Sequence, residues 1–497
     1  MPTTATAVLG ALLLAFVPLG ESRAQGNALA DRQPTEHHEV AAALKVIDAW
    51  IGARVAEQAI PGLSIAIVHD QDLIWAKGYG LADLQARIST SPSTAYRIGS
   101  ISKLFTATAI LQLRDAGKLR LDDPVVAYLP RFKVRNMPPD ERPIAIRHLL
   151  THTSGLPVAG SVPDWNEPHP IERREMLSRL GEQEAIFPAG TEWKYSNLGY
   201  GLLGEIITAV SGQPYRQYVE THLLAPLGMT GTSVMPVARM SSLAVGYGRR
   251  AVGATRLPVD FYDLGWLAPA GNFASTVEDL ARFASAQLRE TAAGGILSST
   301  TLREMRRVHW LRDDWQSGQG LGFSIHRAAN DVRFGHEGQF PGYSASMMIT
   351  PASKTAVIVL SNVSDAALDR YVDLAFTLLN PAIAAAMRTS ASEPMVDQAW
   401  LRYVGAYTGP HWIGPVEIMI LSGQLTMVRP ATDNPWQSKV ILQPLGPETF
   451  RMIGGWADGE VAKFSLSPSG QVTRFTAGNL HWSPKALSPP VPASLDK

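Results

Sequence analysis

The feature that most restricts the fold is a separation between two groups of strands. Leu63–Val68 and Leu73–Lys77 read as a strand pair around a turn at 69–72. Pro61-Gly62 breaks the chain ahead of them, and apolar residues fill both runs. Strand signals then lapse until 322–325, 332–334, 344–350 and 356–360. Between about 120 and 310 the pattern is helical, in segments parted by long loops rich in proline and glycine. Strands at both ends with helices between predict one sheet closed across a helical insert, an α+β arrangement. Apolar spacing at Val40, Leu44, Ile47, Trp50 and Ile51 predicts a helix over 40–58, and a last helix is expected over 366–388.

Residues 389–396 (TSASEPMV) read as a linker. Beyond them come short strands with turns at Gly423, Asp458-Gly459 and Pro468-Ser469-Gly470, so 397–497 is expected to be a small all-β domain, a barrel or a meander. At the other end, Ala7–Leu19 is a short apolar run broken by Pro18, with small residues at Ser22 and Ala24. Although 1–5 carry no Lys or Arg, we read 1–24 as a signal peptide and expect a periplasmic or secreted protein. The polar loop 160–170, with Trp165, is the kind of insertion that borders a site. The apolar run 372–387 is interrupted by Asp373 and Pro381 and is not read as a membrane helix.

Composition removes several classes of function. Lys plus Arg and Asp plus Glu balance at 44 each, and no basic run is present, which argues against nucleic acid as a partner. With no cysteine there is no disulfide, thiolate metal site, thiol nucleophile or lipid-modified cysteine. His148 and His152 share metal-ligand spacing, but no third ligand is evident and a structural role is expected. Gly199–Gly204 matches a dinucleotide fingerprint without a preceding strand, so helix packing is expected there. No cofactor is called for.

Positive evidence begins at 97–104, R-I-G-S-I-S-K-L, which opens a helix expected to run to Ala116 with Gly117 as its cap. A serine hydroxyl needs a base, and a lysine serves only when burial leaves it neutral. At helical spacing Ser100 meets Lys103, whereas Ser102 points away. The apolar residues that follow would bury that lysine. The S-x-x-K pattern alone is weak, since Ser494–Lys497 repeats it at the C-terminus. Tyr195-Ser196-Asn197 is the only Y-x-N, and in an extended segment its phenol and amide face one way, although Asn197 could instead cap the next helix. His336-Glu337-Gly338 is the only [KH]-x-G, and its glycine would let a substrate lie along a strand edge.

In this order the three motifs resemble the serine β-lactamase and penicillin-binding family. The branch they look most like comprises class C β-lactamases, D-Ala-D-Ala carboxypeptidases, D-aminopeptidases and esterases. L-L-T-H-T-S-G-L-P at 149–157, Y-S-N-L-G-Y-G-L-L-G at 195–204, P-A-G-N-F-A-S-T-V-E-D-L at 269–280 and G-H-E-G-Q-F-P-G-Y at 335–343 carry the same resemblance. It implies a β-lactamase/transpeptidase-like domain over 25–388, with an antiparallel sheet flanked by helices and an all-helical lobe. Ser100 would be the acylated nucleophile and Lys103 its proton acceptor. Tyr195 would be a phenolate-like base or a proton shuttle. Asn197 would bind the substrate amide and hold Lys103. The N–H groups of Ser100 and Gln339 would form an oxyanion hole, and His336 would contact a substrate carboxylate or the tyrosine. Histidine replaces the lysine usual in β-lactamases, which shifts the expectation toward a small-molecule or peptide substrate, an ester or a D-residue peptide. The alternatives are a β-lactamase and a penicillin-recognising sensor that does not turn over.

Overall fold

The computed structural model describes residues 37–136, 141–159, 172–237, 240–251, 255–289, 295–328, 331–388 and 394–485. The signal segment, the loop with Trp165, linker residues 389–393 and the Ser494–Lys497 repeat lie outside the described residues.

One antiparallel sheet of nine strands organises the larger part of the chain. Its strands are β1 (Gly62–His69), β2 (Asp72–Asp83), β3 (Ile88–Ser89), β4 (Trp310–Leu311), β5 (Ser317–Gln319), β6 (Ser324–Ala328), β7 (Asp331–Phe340), β8 (Tyr343–Thr350) and β9 (Thr355–Ser361). Their spatial order is β3-β2-β1-β9-β8-β7-β6-β5-β4. The closure expected across the helical insert is therefore the β1–β9 pairing, in which Ile65 stands opposite Val359.

Side chains alternate across a strand, and β1 uses both sides. Leu63, Ile65 and Ile67 join a core under α1 (His38–Glu57) and α5 (Leu368–Arg388). Ala66 and Val68 join a larger core with α2 (Ser102–Asp115), α3 (Asn197–Ser211) and α4 (Val277–Leu288). Both faces being covered, all eight residues of β1 are buried, which is why it reads as a largely apolar run broken by Ser64, whose hydroxyl is paired with Ser91 O and Tyr96.

Three boundaries differ from the sequence reading. β2 continues past Lys77 to Asp83, through glycines that look like punctuation in the sequence. β7 runs on through His336-Glu337-Gly338 to Phe340, so the third motif lies within a strand and not after one. β4 and β5, too short to signal themselves, form a hairpin at the sheet edge.

Residues 405–484 form a closed barrel, which decides between barrel and meander. Its strands are β10 (Gly405–Thr408), β11 (Val416–Leu421), β12 (Gln424–Val428), β13 (Val440–Gly446), β14 (Thr449–Ile453), β15 (Val461–Leu466), β16 (Val472–Ala477) and β17 (Leu480–Pro484). Closure comes from β10 pairing with β17, Tyr407 opposite Pro484. The interior is filled by Tyr403, Phe450, Phe464, Phe475 and Trp482. The barrel also shares the core under α1 through Met419, Leu421 and Val428. Trp50 Nε1 donates to Thr432 O at 2.9 Å across the same seam. Among the described residues no helix is long and apolar enough to cross a membrane.

Candidate active site

Ser100 does not sit on an α-helix, as the spacing had implied, but in a 3₁₀ turn (Gly99–Ile101) that leads into α2. The turn is tight because β7 crosses it. Gly99 has φ +48°, and a Cβ there would come within 2.5 Å of Gln339 O. Ser102 is pinned away from the site. Its Oγ donates to Gly99 O at 2.7 Å and accepts from Phe273 N at 3.2 Å, so it fastens the turn.

Lys103, in the first turn of α2, is fully buried. Its Nζ lies 3.1 Å from Ser100 Oγ, 2.7 Å from Asn197 Oδ1 and 2.6 Å from Ala270 O. The rings of Tyr195 and Tyr200 stand 4.7 and 5.4 Å from it. All three polar neighbours are uncharged. Burial therefore goes unopposed and holds the Lys103 amine well below the usual lysine range.

Tyr195 donates its phenolic proton to Ser100 Oγ at 2.6 Å. Burial pushes this phenol up, against the pull of the Ser100 bond, so it is protonated at neutral pH. The cap of α3 is Ser196, whose Oγ accepts the Gly199 N–H at 3.0 Å. The capping role considered for Asn197 falls to its neighbour, which leaves the Asn197 amide free to hold Lys103. Gly201 and Gly204 lie inside α3 against Trp266 and Pro269, where a Cβ would meet each ring at 2.3 Å, so that motif packs helices.

His152 was read as structural, and the structure gives that role a specific form beside the site. It is fully buried at φ +58°, with its ring 4.5 Å from that of Tyr195 and 5.1 Å from that of Tyr200. Its backbone O accepts the Lys194 N–H at 2.8 Å, and its Nδ1 accepts the Ser196 N–H at 3.1 Å. Burial keeps the ring neutral, as an acceptor must be. Its proximity to the site was hidden because Thr151 to Leu156 lies far from the Y-x-N segment in sequence. His148 Nδ1 accepts the Ala145 N–H at 3.1 Å, a bond within its own short helix.

The third motif faces the site from β7. His336 is buried, its ring 6.4 Å from that of Tyr195 and its Nδ1 against Glu337 O. Burial, with Lys103 adding to it, pulls its pKa down to about 3, so the ring brings no positive charge at neutral pH. Glu337 alternates to the other face, where burial and Asp369 push its carboxyl up. At Gly338 a Cβ would stand 1.9 Å from Ile98 O and 3.3 Å from Ser100 N, so only glycine lets β7 and the serine turn touch. Gln339 is opposite Ser344, one step from the Phe340–Tyr343 pair that closes the hairpin. In that register its N–H and C=O turn away from β8 toward the serine turn. The last β6 partner on this strand is at Gly335, so among the described residues the edge beyond it has no strand neighbour.

All seven residues singled out from the sequence thus gather around the Ser100 turn. A family model described as Beta-lactamase matches residues 47–379. The chain is 30% identical over 365 residues to Beta-lactamase-like protein 2 of Dictyostelium discoideum, covering 71% of this chain and 65% of that protein, less than two thirds of its length. It is 29% identical over 353 residues to Protein flp of Staphylococcus aureus strain NCTC 8325, covering 71% of this chain and 69% of that one. Among solved structures, the octameric penicillin-binding protein homologue from Pyrococcus abyssi superposes with a TM-score of 0.61 at 25% identity, over 88% of this chain and 99% of that one. The chain belongs to the Beta-lactamase family and has a β-lactamase/transpeptidase-like fold.

Proposed function

We propose that the chain hydrolyses small esters or amides through an ester on Ser100, with Lys103 as base and Tyr195 as proton shuttle. The observation that carries this reading is the set of partners around Lys103 Nζ. A neutral amine has two N–H groups and one lone pair. Asn197 Oδ1 and Ala270 O can only accept, so they take both N–H groups and the lone pair is left for Ser100.

The Ser100 proton passes to Nζ as Oγ attacks the substrate carbonyl carbon. The oxyanion forms between the N–H groups of Ser100 and Gln339, at the end of an unpaired strand edge. As the tetrahedral intermediate collapses, Tyr195 gives its phenolic proton to the departing amine or alcohol and is reprotonated by the Lys103 ammonium. A phenol held protonated by burial favours the shuttle over the phenolate-like base. Water then attacks the Ser100 ester by the same route in reverse. Asn197 Nδ2 is available to a substrate carbonyl. The lack of a cation on His336 favours esters and small or D-residue peptides over β-lactams. The apolar run 7–19 supports export to the periplasm or medium.

A chromogenic ester, a D-amino-acid amide and a fluorescent penicillin, each tested against Ser100→Ala, discriminate the readings. Turnover of the ester or amide that vanishes in Ser100→Ala supports hydrolysis. Stable penicillin labelling of Ser100 without turnover would replace it with a binding role.

A further inference from the structure

With His336 neutral and Lys103 required to be neutral as base, positive charge for a substrate must come from elsewhere. It stands on the β4–β5 hairpin. The guanidinium carbon of Arg312 lies 3.8 Å from the centre of the Trp193 ring. Trp193 is two residues before Tyr195, and its ring is 6.5 Å from that of Tyr195 and 6.0 Å from that of His152. The charge of Arg312 reaches both His152 and His326, lowering each further after burial has done so.

Arg312 has no carboxylate partner among the described residues. Arg114, Arg147, Arg173 and Arg333, by contrast, each rest against one. The nearby Asp314 is already engaged. Its Oδ1 accepts the Gln316 and Ser317 N–H groups and its Oδ2 the Ser317 hydroxyl, all at 2.8 Å. Arg312 Nε is buried without a partner, whereas its two terminal nitrogens are not among the buried unpaired atoms. Burial lowers the pKa of this guanidinium, and the charge of Asp314, whose oxygens are held by Gln316 and Ser317, offsets that only in part. A half-buried cation with no carboxylate in contact is costly to keep, and a guanidinium lying over an indole can offer its fork to a carboxylate.

We propose that Arg312 is the specificity-determining cation of this site, and that the preferred substrates are esters or amides carrying a free carboxylate. This rests on the hydrolase reading above and adds the substrate class to it. The Trp193 face holds the guanidinium, and the carboxylate docks on its terminal nitrogens while the scissile carbonyl reaches Ser100.

The test pairs a neutral ester, p-nitrophenyl butyrate, with its carboxylate-bearing counterpart, mono-p-nitrophenyl glutarate, on wild type, Arg312→Gln and Arg312→Lys. Wild type is expected to prefer the anionic ester. Arg312→Gln should lose about 10-fold to 100-fold in kcat/KM on it, mainly through KM, as for one partner of a desolvated charge pair. The neutral ester should change by less than about 2-fold, the size expected for a side chain it does not use. Arg312→Lys should restore part of the loss, and added salt should erode the wild-type preference. An equal fall on both esters, or no fall on either, overturns the proposal. If wild type turns over neither ester, the hydrolase reading fails separately. The thermal shift produced by glutarate then decides: a shift lost in Arg312→Gln supports the cation, and a shift kept, or absent in wild type, removes it.

Discussion

His152 Nδ1 accepts the backbone N–H of Ser196 at 3.1 Å, at the residue between the two that project into the site, Tyr195 and Asn197. The bond, with the one from Lys194 N–H to His152 O, holds the Tyr-Ser-Asn segment at a fixed height against the ring beneath it. Removing the ring leaves the Ser196 N–H buried and unpaired, at about 1–3 kcal/mol. His152→Ala is therefore expected to lower kcat/KM about 10-fold to 100-fold through displacement of Tyr195 and Asn197. His152→Asn should recover part of it, because asparagine tolerates the left-handed backbone at this position (φ +58°) and offers an acceptor. Kinetics on a neutral ester, beside the melting temperature of each variant, check the ordering; a loss as large for Asn as for Ala would remove the hydrogen bond from the explanation.

Gly338 joins β7 to the serine turn at a distance that admits no side chain, since a Cβ would lie 1.9 Å from Ile98 O. Gly338→Ala must push the strand away from Ser100, separating the N–H groups of Ser100 and Gln339. Overpacking of this kind costs about 1–3 kcal/mol of stability, which a domain of this size can absorb. Losing one donor of an oxyanion hole costs about 10²–10³ in kcat. The variant is expected to fold, with kcat reduced by about that factor and with acylation by an ester slowed in stopped-flow measurements. A folded variant with wild-type kcat would rule out this strand as part of the hole.

The pH profile follows from which base is depressed. The Lys103 pKa lies well below the usual lysine value through burial, so the neutral amine exists from a correspondingly lower pH upward. Activity is present above that value and falls as pH drops through it. His336, pulled to about 3, stays neutral over the whole working range and adds no limb there. His336→Gln should leave the midpoint of the acid limb in kcat/KM where it is, whatever it does to the plateau. Lys103→Arg should abolish activity at every accessible pH, because a guanidinium is not deprotonated in proteins. A limb that moved in His336→Gln would shift the titrating role to the histidine.

Much of this was legible in the chain because the motifs are short and their chemistry is local. Ser100 and Lys103 are three residues apart, and the apolar residues after them announce the burial that makes the lysine a base. The β1–β9 closure was legible because both strands are buried on two faces and read as largely apolar runs. What stayed hidden depends on contacts across long sequence distances. The 3₁₀ geometry at Ser100 is imposed by β7, whose backbone lies against Gly99. His152 gives no sign in sequence that its ring lies under Tyr195. The β4–β5 hairpin is too short to carry a periodicity, so Arg312 could not be placed beside Trp193. Asn197 and Ser196 are equally good caps by type, and only the reach of Lys103 decides which one caps.

The barrel is joined to the larger domain by an apolar seam and not by the linker alone. Leu421, Met419 and Val428 lie in the same core as Trp50, Val46 and Tyr371, and the rings of Trp50 and Tyr371 meet edge to face at 5.1 Å. The polar contacts over this seam matter less: Arg54 reaches Asp433 at 3.1 Å, but that carboxylate is 95% exposed. Asp433→Ala should change stability by no more than about 1 kcal/mol, the usual worth of an exposed pair. Leu421→Asp places a charge in the seam, and burying an unpaired carboxylate costs several kcal/mol. Calorimetry should then resolve a separate barrel transition below that of the larger domain. Turnover at 25 °C should stay within about 2-fold, since the described contacts of Ser100, Lys103 and Tyr195 include no barrel residue. A proportionate loss of turnover with the barrel transition would instead show that the seam supports the site through α1 and the sheet.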